Sequence, residues 1–423
     1  MTPERSAGRS PLVFIFLTVF IDLLGFGIVI PLLPIYSKAY DASELELGLL
    51  FAAFSGMQFV FAPMWGRVSD RIGRKPVLVG GLIGTGASYL VFANAPSLAW
   101  LFAARFLGGF FGANISTAQA YIADVTTPEN RAKGMGLIGA AFGLGFTFGP
   151  FFGGELTAWS PSAPGYCAAL LSFCAATFGF FVLHEPDRSQ RAPARRYGRF
   201  ELVYALRHGR LGTLLLLSFL FVFSFSAFES MFARFGLARF PDVFHVPARI
   251  EHATMDQMLA AAPIVGRYLM VIGILSAIIQ GGLIRRLLPR FGETKLAIAG
   301  PFFLALSFVI VAFASSWGMV IIGCALMPIG FGLNNPALNG LISRASPADE
   351  QGAYLGLNQS ALSLARMTGP PCAGALFQAF GPSAPFWFGG GVLFTCTVIA
   401  WRYRTRYGAT FPRGAAAPST APG

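Results

Sequence analysis

The stretch Gly66-Arg67-Val68-Ser69-Asp70-Arg71-Ile72-Gly73-Arg74-Lys75 decides how this chain is read. It stands between two apolar runs, Glu44–Trp65 and Pro76–Asn94, each long enough to cross the ~30 Å hydrocarbon core of a bilayer as a helix. Four cations, one acid and two glycines in ten residues break with those surroundings. The stretch predicts a short charged loop joining two membrane helices.

Working outward, similar apolar runs recur along all 423 residues, of which 55% are hydrophobic and only 12% charged. A soluble domain carries about 25% charged residues. The fold class is therefore an all-α polytopic membrane protein. A β-barrel would show ~10-residue segments of alternating polarity instead. Twelve spans are predicted, at 12–36, 44–65, 75–94, 97–123, 132–158, 165–184, 211–237, 264–288, 294–314, 317–343, 350–380 and 383–403.

The net charge of +12 resides largely in alternate connections: 2–3, 4–5, 6–7, 8–9 and 10–11, together with both termini. That is the positive-inside pattern, so both termini and these loops are expected to be cytoplasmic, in a plasma (inner) membrane. The same pattern accounts for the cations without nucleic acid, which is not expected as a partner. Cys167, Cys174, Cys324, Cys372 and Cys396 all lie in apolar runs, where thiols are normally inert. The four histidines are scattered. No metal or cofactor is expected, and no P-loop, H-E-x-x-H or G-x-S-x-G stretch points to ATP drive or an enzyme.

Domain organisation follows from the same reading. A cytoplasmic N-terminus (1–11) precedes a six-helix bundle (12–184) and a basic linker (185–210). A second bundle (211–403) contains a long outer loop at 238–263, and a disordered tail follows at 404–423. A short surface helix is expected near Ala253–Ala262. The two halves repeat at an offset of about 220: Gly112 falls on Gly332, Asn114 on Asn334, and Gly149-Pro150 on Gly369-Pro370. Internal repeats of this kind underlie alternating-access transporters.

These features resemble the major facilitator superfamily, and within it the twelve-helix drug/proton antiporters of the tetracycline-efflux type. Three motifs carry the resemblance. Gly66, Asp70, Arg71, Gly73, Arg74 and Lys75 match the family's loop motif between helices 2 and 3. The resemblance implies a conformational latch in which an Asp–Arg pair meets an acid ending helix 4, here Asp124. Arg105, with Gly109, Gly112, Ser116 and Gln119 on one helical face, matches the helix 4 motif and implies a part in proton coupling. Gly145, Gly149, Pro150, Gly153 and Gly154 match the helix 5 motif of antiporters. Two departures stand out. The second-half copy, Gly282–Gly292, has Arg286 where Asp70 stands, so the latch is expected in the first half alone. Lys295–Ala314 holds no acid, unlike tetracycline pumps.

Charged residues inside spans are costly and normally serve function. Asp22 lies about ten residues into span 1, ~15 Å deep at 1.5 Å per residue. Desolvation there favours its neutral form, which lets it load and unload a proton. Glu229 in span 7 is the second candidate acid, with Arg366 in span 11 as counter-charge. Gln359, Ser363 and Gly369 extend that face. Asn334, Asn335 and Asn339 give span 10 a similar one, and Glu155 is expected at the interface. The predicted function is proton-coupled export of small amphipathic compounds by alternating access, by a protein expected to be a monomer in the lipid bilayer. An uptake or metabolite porter is the alternative, and a non-transporting receptor or enzyme the alternative of another class.

Overall fold

A computed structural model describes residues 11–113, 115–125, 141, 143–145, 147–186, 209–248, 252–279, 282, 284–346 and 351–407. No strand occurs among them. Ten helices are long and apolar enough to cross a membrane. The thirty-residue helix Gln351–Phe380 forms span 11, and span 5 is helical over 143–145 and 147–156. Predictions for the 4–5 loop, for most of the 6–7 linker and for the tail beyond 407 lie outside the described residues, while 404–407 continue the helix Ala384–Tyr407 of span 12 where a disordered tail was expected.

The charged stretch is helical almost throughout, which corrects the loop expected there. Span 2 runs Glu44–Ile72 and span 3 begins at Arg74, so the connection is Gly73 alone. Its φ of 117° is a conformation that side-chain-bearing residues avoid. Charged helix ends need no loop to leave the hydrocarbon, because a helix continues into the headgroup region unchanged. A second correction concerns Ala253–Ala262. No separate surface helix forms there, because Met255 already opens span 8, which continues to Ile278. Span 1 passes from α-helix (Pro11–Val29) through a 3-10 turn (Ile30–Leu32) to α-helix (Leu33–Ala39), with Pro31 and Pro34 in the transition. Span 4 divides into Leu98–Gly112 and Ile115–Val125.

Two compact units result. One comprises Met1–Arg195, Glu229–Ile274 and Arg366–Pro382. The other comprises Arg196–Phe228, Leu275–Ala365 and Ser383–Gly423. One boundary falls within the basic linker, between Arg195 and Arg196, and others pass through spans 7, 8 and 11.

In the first unit, span 3 packs on spans 4 and 6, and span 6 on span 1. Its core gathers Ile15, Val19 and Leu23 of span 1 with Leu78, Tyr121, Ile122 and Leu183. Backbone-close glycine contacts extend it, as expected where lipid gives helices no hydrophobic drive to associate. In the second unit, span 9 packs on spans 10 and 12. The rings of Phe228, Phe308 and Phe386 meet at 5.9–6.0 Å between centroids.

Candidate functional site

Five of the seven predicted cavity residues fall in the first unit: Asp22, Arg105, Gln119, Glu229 and Arg366. Arg105 is buried at 4% exposure. Its Nε donates to the Leu50 carbonyl at 3.3 Å. Its guanidinium lies 4.3 Å from the Phe54 ring centre and 5.9 Å from that of Phe26. No carboxylate forms an ion pair with it among the described residues, so the Leu50 carbonyl and the two aromatic faces supply the nearest negative potential. Its charge acts instead at longer range, on Tyr89 and Glu229. Arg366 and Arg105 both stand near Glu229. Asp22 is half-buried, and its Oδ1 is buried with no hydrogen-bond partner among the described residues. Its charge reaches Tyr89. A small cavity, with room for about one water, is lined by Val29, Ser88, Tyr89, Phe92, Ala104, Arg105 and Gly108. Gln119 is half-buried on the second segment of span 4.

Asn334 and Gln359 belong to the second unit. Asn334 is 3% exposed, with its Oδ1 unpartnered among the described residues. Gln359 is exposed, and its neighbour Asn358 turns inward. Asn358 donates to Asn339 at 3.1 Å, and Asn339 donates to Asn335 at 3.2 Å.

The span 5 motif holds span 1. A Cβ on Gly145 would stand 2.9 Å from Leu23 Cβ, and one on Gly149 would stand 2.5 Å from Gly27 Cα. Gly153 faces Ile28 in the same way. Gly154 turns to span 8, where its Cβ would lie 2.9 Å from Pro263 Cα. Pro150 sits against Gly266. Beyond these, Glu155 pairs with Arg267 of span 8 at 2.7 Å, largely in the open.

The motif between spans 2 and 3 centres on one residue, Arg74, at 8% exposure. Its Nη1 lies 2.7 Å from Asp70 and donates to Ser69 Oγ at 2.6 Å. Its Nε meets Asp124 at 2.9 Å. Arg71 is exposed, and nothing approaches the position a Gly66 Cβ would take. Sequence reasoning missed Glu185, whose carboxylate accepts the backbone N–H groups of Arg74 and Lys75 at 2.7 and 2.8 Å. Lys75 also lies 5.3 Å over the Phe180 ring.

The second half was expected to lack a working copy, on the strength of Arg286. An ion pair does stand at the equivalent place, with reversed charges. Gly292 (φ 77°) precedes Glu293, the first residue of span 9. Glu293 pairs at 3.3 Å with Arg344 in the last turn of span 10. A Cβ on Gly340 would stand 2.8 Å from the Glu293 carboxyl carbon, so this glycine admits the acid.

The other residue that sequence reasoning missed is Arg234, at 1% exposure in span 7. The rule that flagged Arg105 also flags it. Its Nε lies 3.3 Å from Glu44 Oε2.

Helices of membrane-spanning length, with acids and arginines inside the spans, define a multi-pass membrane transporter. The sequence profile of the Major Facilitator Superfamily matches residues 15–290 and 252–421. The chain belongs to that superfamily, whose members carry small molecules and are not enzymes. It is 34% identical over 385 residues to the class C tetracycline resistance protein of Escherichia coli, covering 90% of this chain and 92% of that one. It is 28% identical over 401 residues to multidrug resistance protein 2 of Bacillus subtilis (strain 168), covering 92% and 94%. Among solved structures, the human organic anion transporter MFSD10 (TETRAN) matches with a TM-score of 0.70 at 26% identity, over 94% of this chain and all of that one.

Proposed function

We propose that the protein exports small amphipathic compounds in exchange for protons by alternating access, with both termini in the cytoplasm. The observation that carries this reading is Asp22: a carboxylate within span 1 whose inner oxygen has no hydrogen-bond partner among the described residues. A carboxylate so placed is stable when protonated and costly when charged, which suits it to bind and release a proton. Glu229 is the second proton site, with Arg366 and Arg105 as the neighbouring cations. Substrate and proton then compete for one set of charges. Relatives named for tetracycline and multidrug resistance support the direction of transport and the substrate class.

The test is drug transport in membrane vesicles with an imposed pH gradient. Collapsing the gradient should abolish concentrative transport, and equal flux without it would refute proton coupling. Asp22→Asn should abolish gradient-driven transport at normal membrane abundance. A variant that still couples would remove Asp22 from the proton path.

A further inference from the structure

The alternating-access reading requires that some contacts break in every cycle, and the geometry around Arg234 assigns one of them. Arg234 lies near the end of span 7, in the second half of the sequence. It reaches the turn between spans 1 and 2, some 190 residues earlier. Its Nη2 lies 3.4 Å from Ser37 Oγ and 3.5 Å from the Ala42 carbonyl. Its Nε is within ion-pair reach of Glu44, yet neither atom completes a directed hydrogen bond. We propose that Arg234 and Glu44 form a clasp that holds the transport path shut at this end of the spans and must open for the path to be reached from there. The distribution of cations predicts that this end faces outward.

Three observations support a releasable contact over a structural one. The first is its span in sequence. Among the described residues Arg74, also buried with an acid partner, draws its partners from the first 185 residues, whereas Arg234 and Glu44 stand 190 positions apart in the sequence. The second is its looseness. Arg74 is bound at 2.6–2.9 Å, whereas Arg234 keeps two long hydrogen bonds at 3.4 and 3.5 Å and meets Glu44 at 3.3 Å without a directed one. A buried pair held by short, directed bonds costs more to separate than a loosely held one. A loose one leaves less to lose. The third is preparation on the receiving side. Ser43 and Glu46 form a capping box that fixes the start of span 2, with Ser43 N–H donating to Glu46 at 2.8 Å, and so presents Glu44 at a helix N-terminus. Beside it, spans 2 and 11 meet backbone to backbone: a Cβ on Gly374 would lie 3.0 Å from Leu45 Cα, and one on Gly48 2.7 Å from the Pro370 carbonyl carbon.

The proposal rests on alternating access, and the experiment separates the two. A cysteine replaces Ser88, which lines the small cavity beside Arg105, in a background whose five native cysteines are serine. A membrane-impermeant maleimide is applied from each face in turn. With Arg234 intact, labelling should shift between faces with substrate and pH gradient. If it never shifts, alternating access fails and the clasp with it. In Arg234→Gln, labelling from the face nearest Glu44 should rise severalfold in the resting state, while gradient-driven transport falls. Glu44→Gln should do the same, which covers the case that Arg234→Gln fails to insert. Arg234→Glu with Glu44→Arg should restore part of the resting protection. Resting labelling unchanged in both single variants, in a protein whose accessibility still switches, would overturn the clasp alone.

Discussion

The turn at Gly73 and the turn at Gly292 occupy equivalent places in the two halves, and each ties the start of one span to the end of the next. They do so with opposite charges. In the first half a cation, Arg74, begins span 3, and an acid, Asp124, lies in the last turn of span 4. In the second half an acid, Glu293, begins span 9, and a cation, Arg344, ends span 10. Helix N-termini favour anions and C-termini favour cations. The second-half pair therefore runs with both helix dipoles, and the first-half pair runs against both. The first half compensates with Glu185, whose carboxylate accepts the two leading N–H groups of span 3. It adds Asp70 and Ser69 on the guanidinium. A pair set against its dipoles needs a network around it, whereas a pair set with them stands alone, half in the open.

The comparison sets an order of effects on thermal stability in detergent. Arg74→Ala should cost most, about 3 kcal/mol, because it leaves acids facing each other without their shared cation. Gly73→Ala should follow at ~2 kcal/mol, from a forced positive φ and a Cβ crowding the Glu185 carboxylate. Glu185→Gln should cost about 1 kcal/mol, the usual worth of a helix cap. Glu293→Gln should cost least, under about 1 kcal/mol, as half-exposed ion pairs do. Should Glu293→Gln prove as damaging as Arg74→Ala, the dipole account of the two turns is wrong. Should Glu185→Gln be silent while Gly73→Ala is severe, the glycine serves the backbone alone.

Periodicity and composition carried the sequence reading a long way. Runs of apolar residues place the spans, since length and hydropathy alone decide what crosses a bilayer. Asp22 and Arg105 stand out because charge inside such a run is costly. Span ends are less legible. Polar residues at Gly66–Ile72 read as a loop, yet a helix accommodates them once it has left the hydrocarbon. Residues joined across great sequence distance are the least legible. Nothing near Glu44 announces Arg234, and nothing in His184-Glu185-Pro186 announces a cap on span 3. The reversed pair at Glu293 escaped for another reason. A search for the same residues at the same places cannot find a contact that keeps its geometry and exchanges its charges.

The contact between spans 1 and 5 has a mechanical consequence. Gly145, Gly149 and Gly153 bring the two backbones together with no side chain between them, at the level of Leu23, Gly27 and Ile28. Side chains that intervene between helices can change rotamer and absorb a displacement, but peptide groups in direct contact cannot. Close-packed interiors transmit strain instead of dissipating it. Span 5 also touches span 8 through Gly154 and through Pro150 against Gly266. A tilt of span 8 is therefore passed through span 5 to the segment of span 1 that carries Asp22, with almost no play in the linkage.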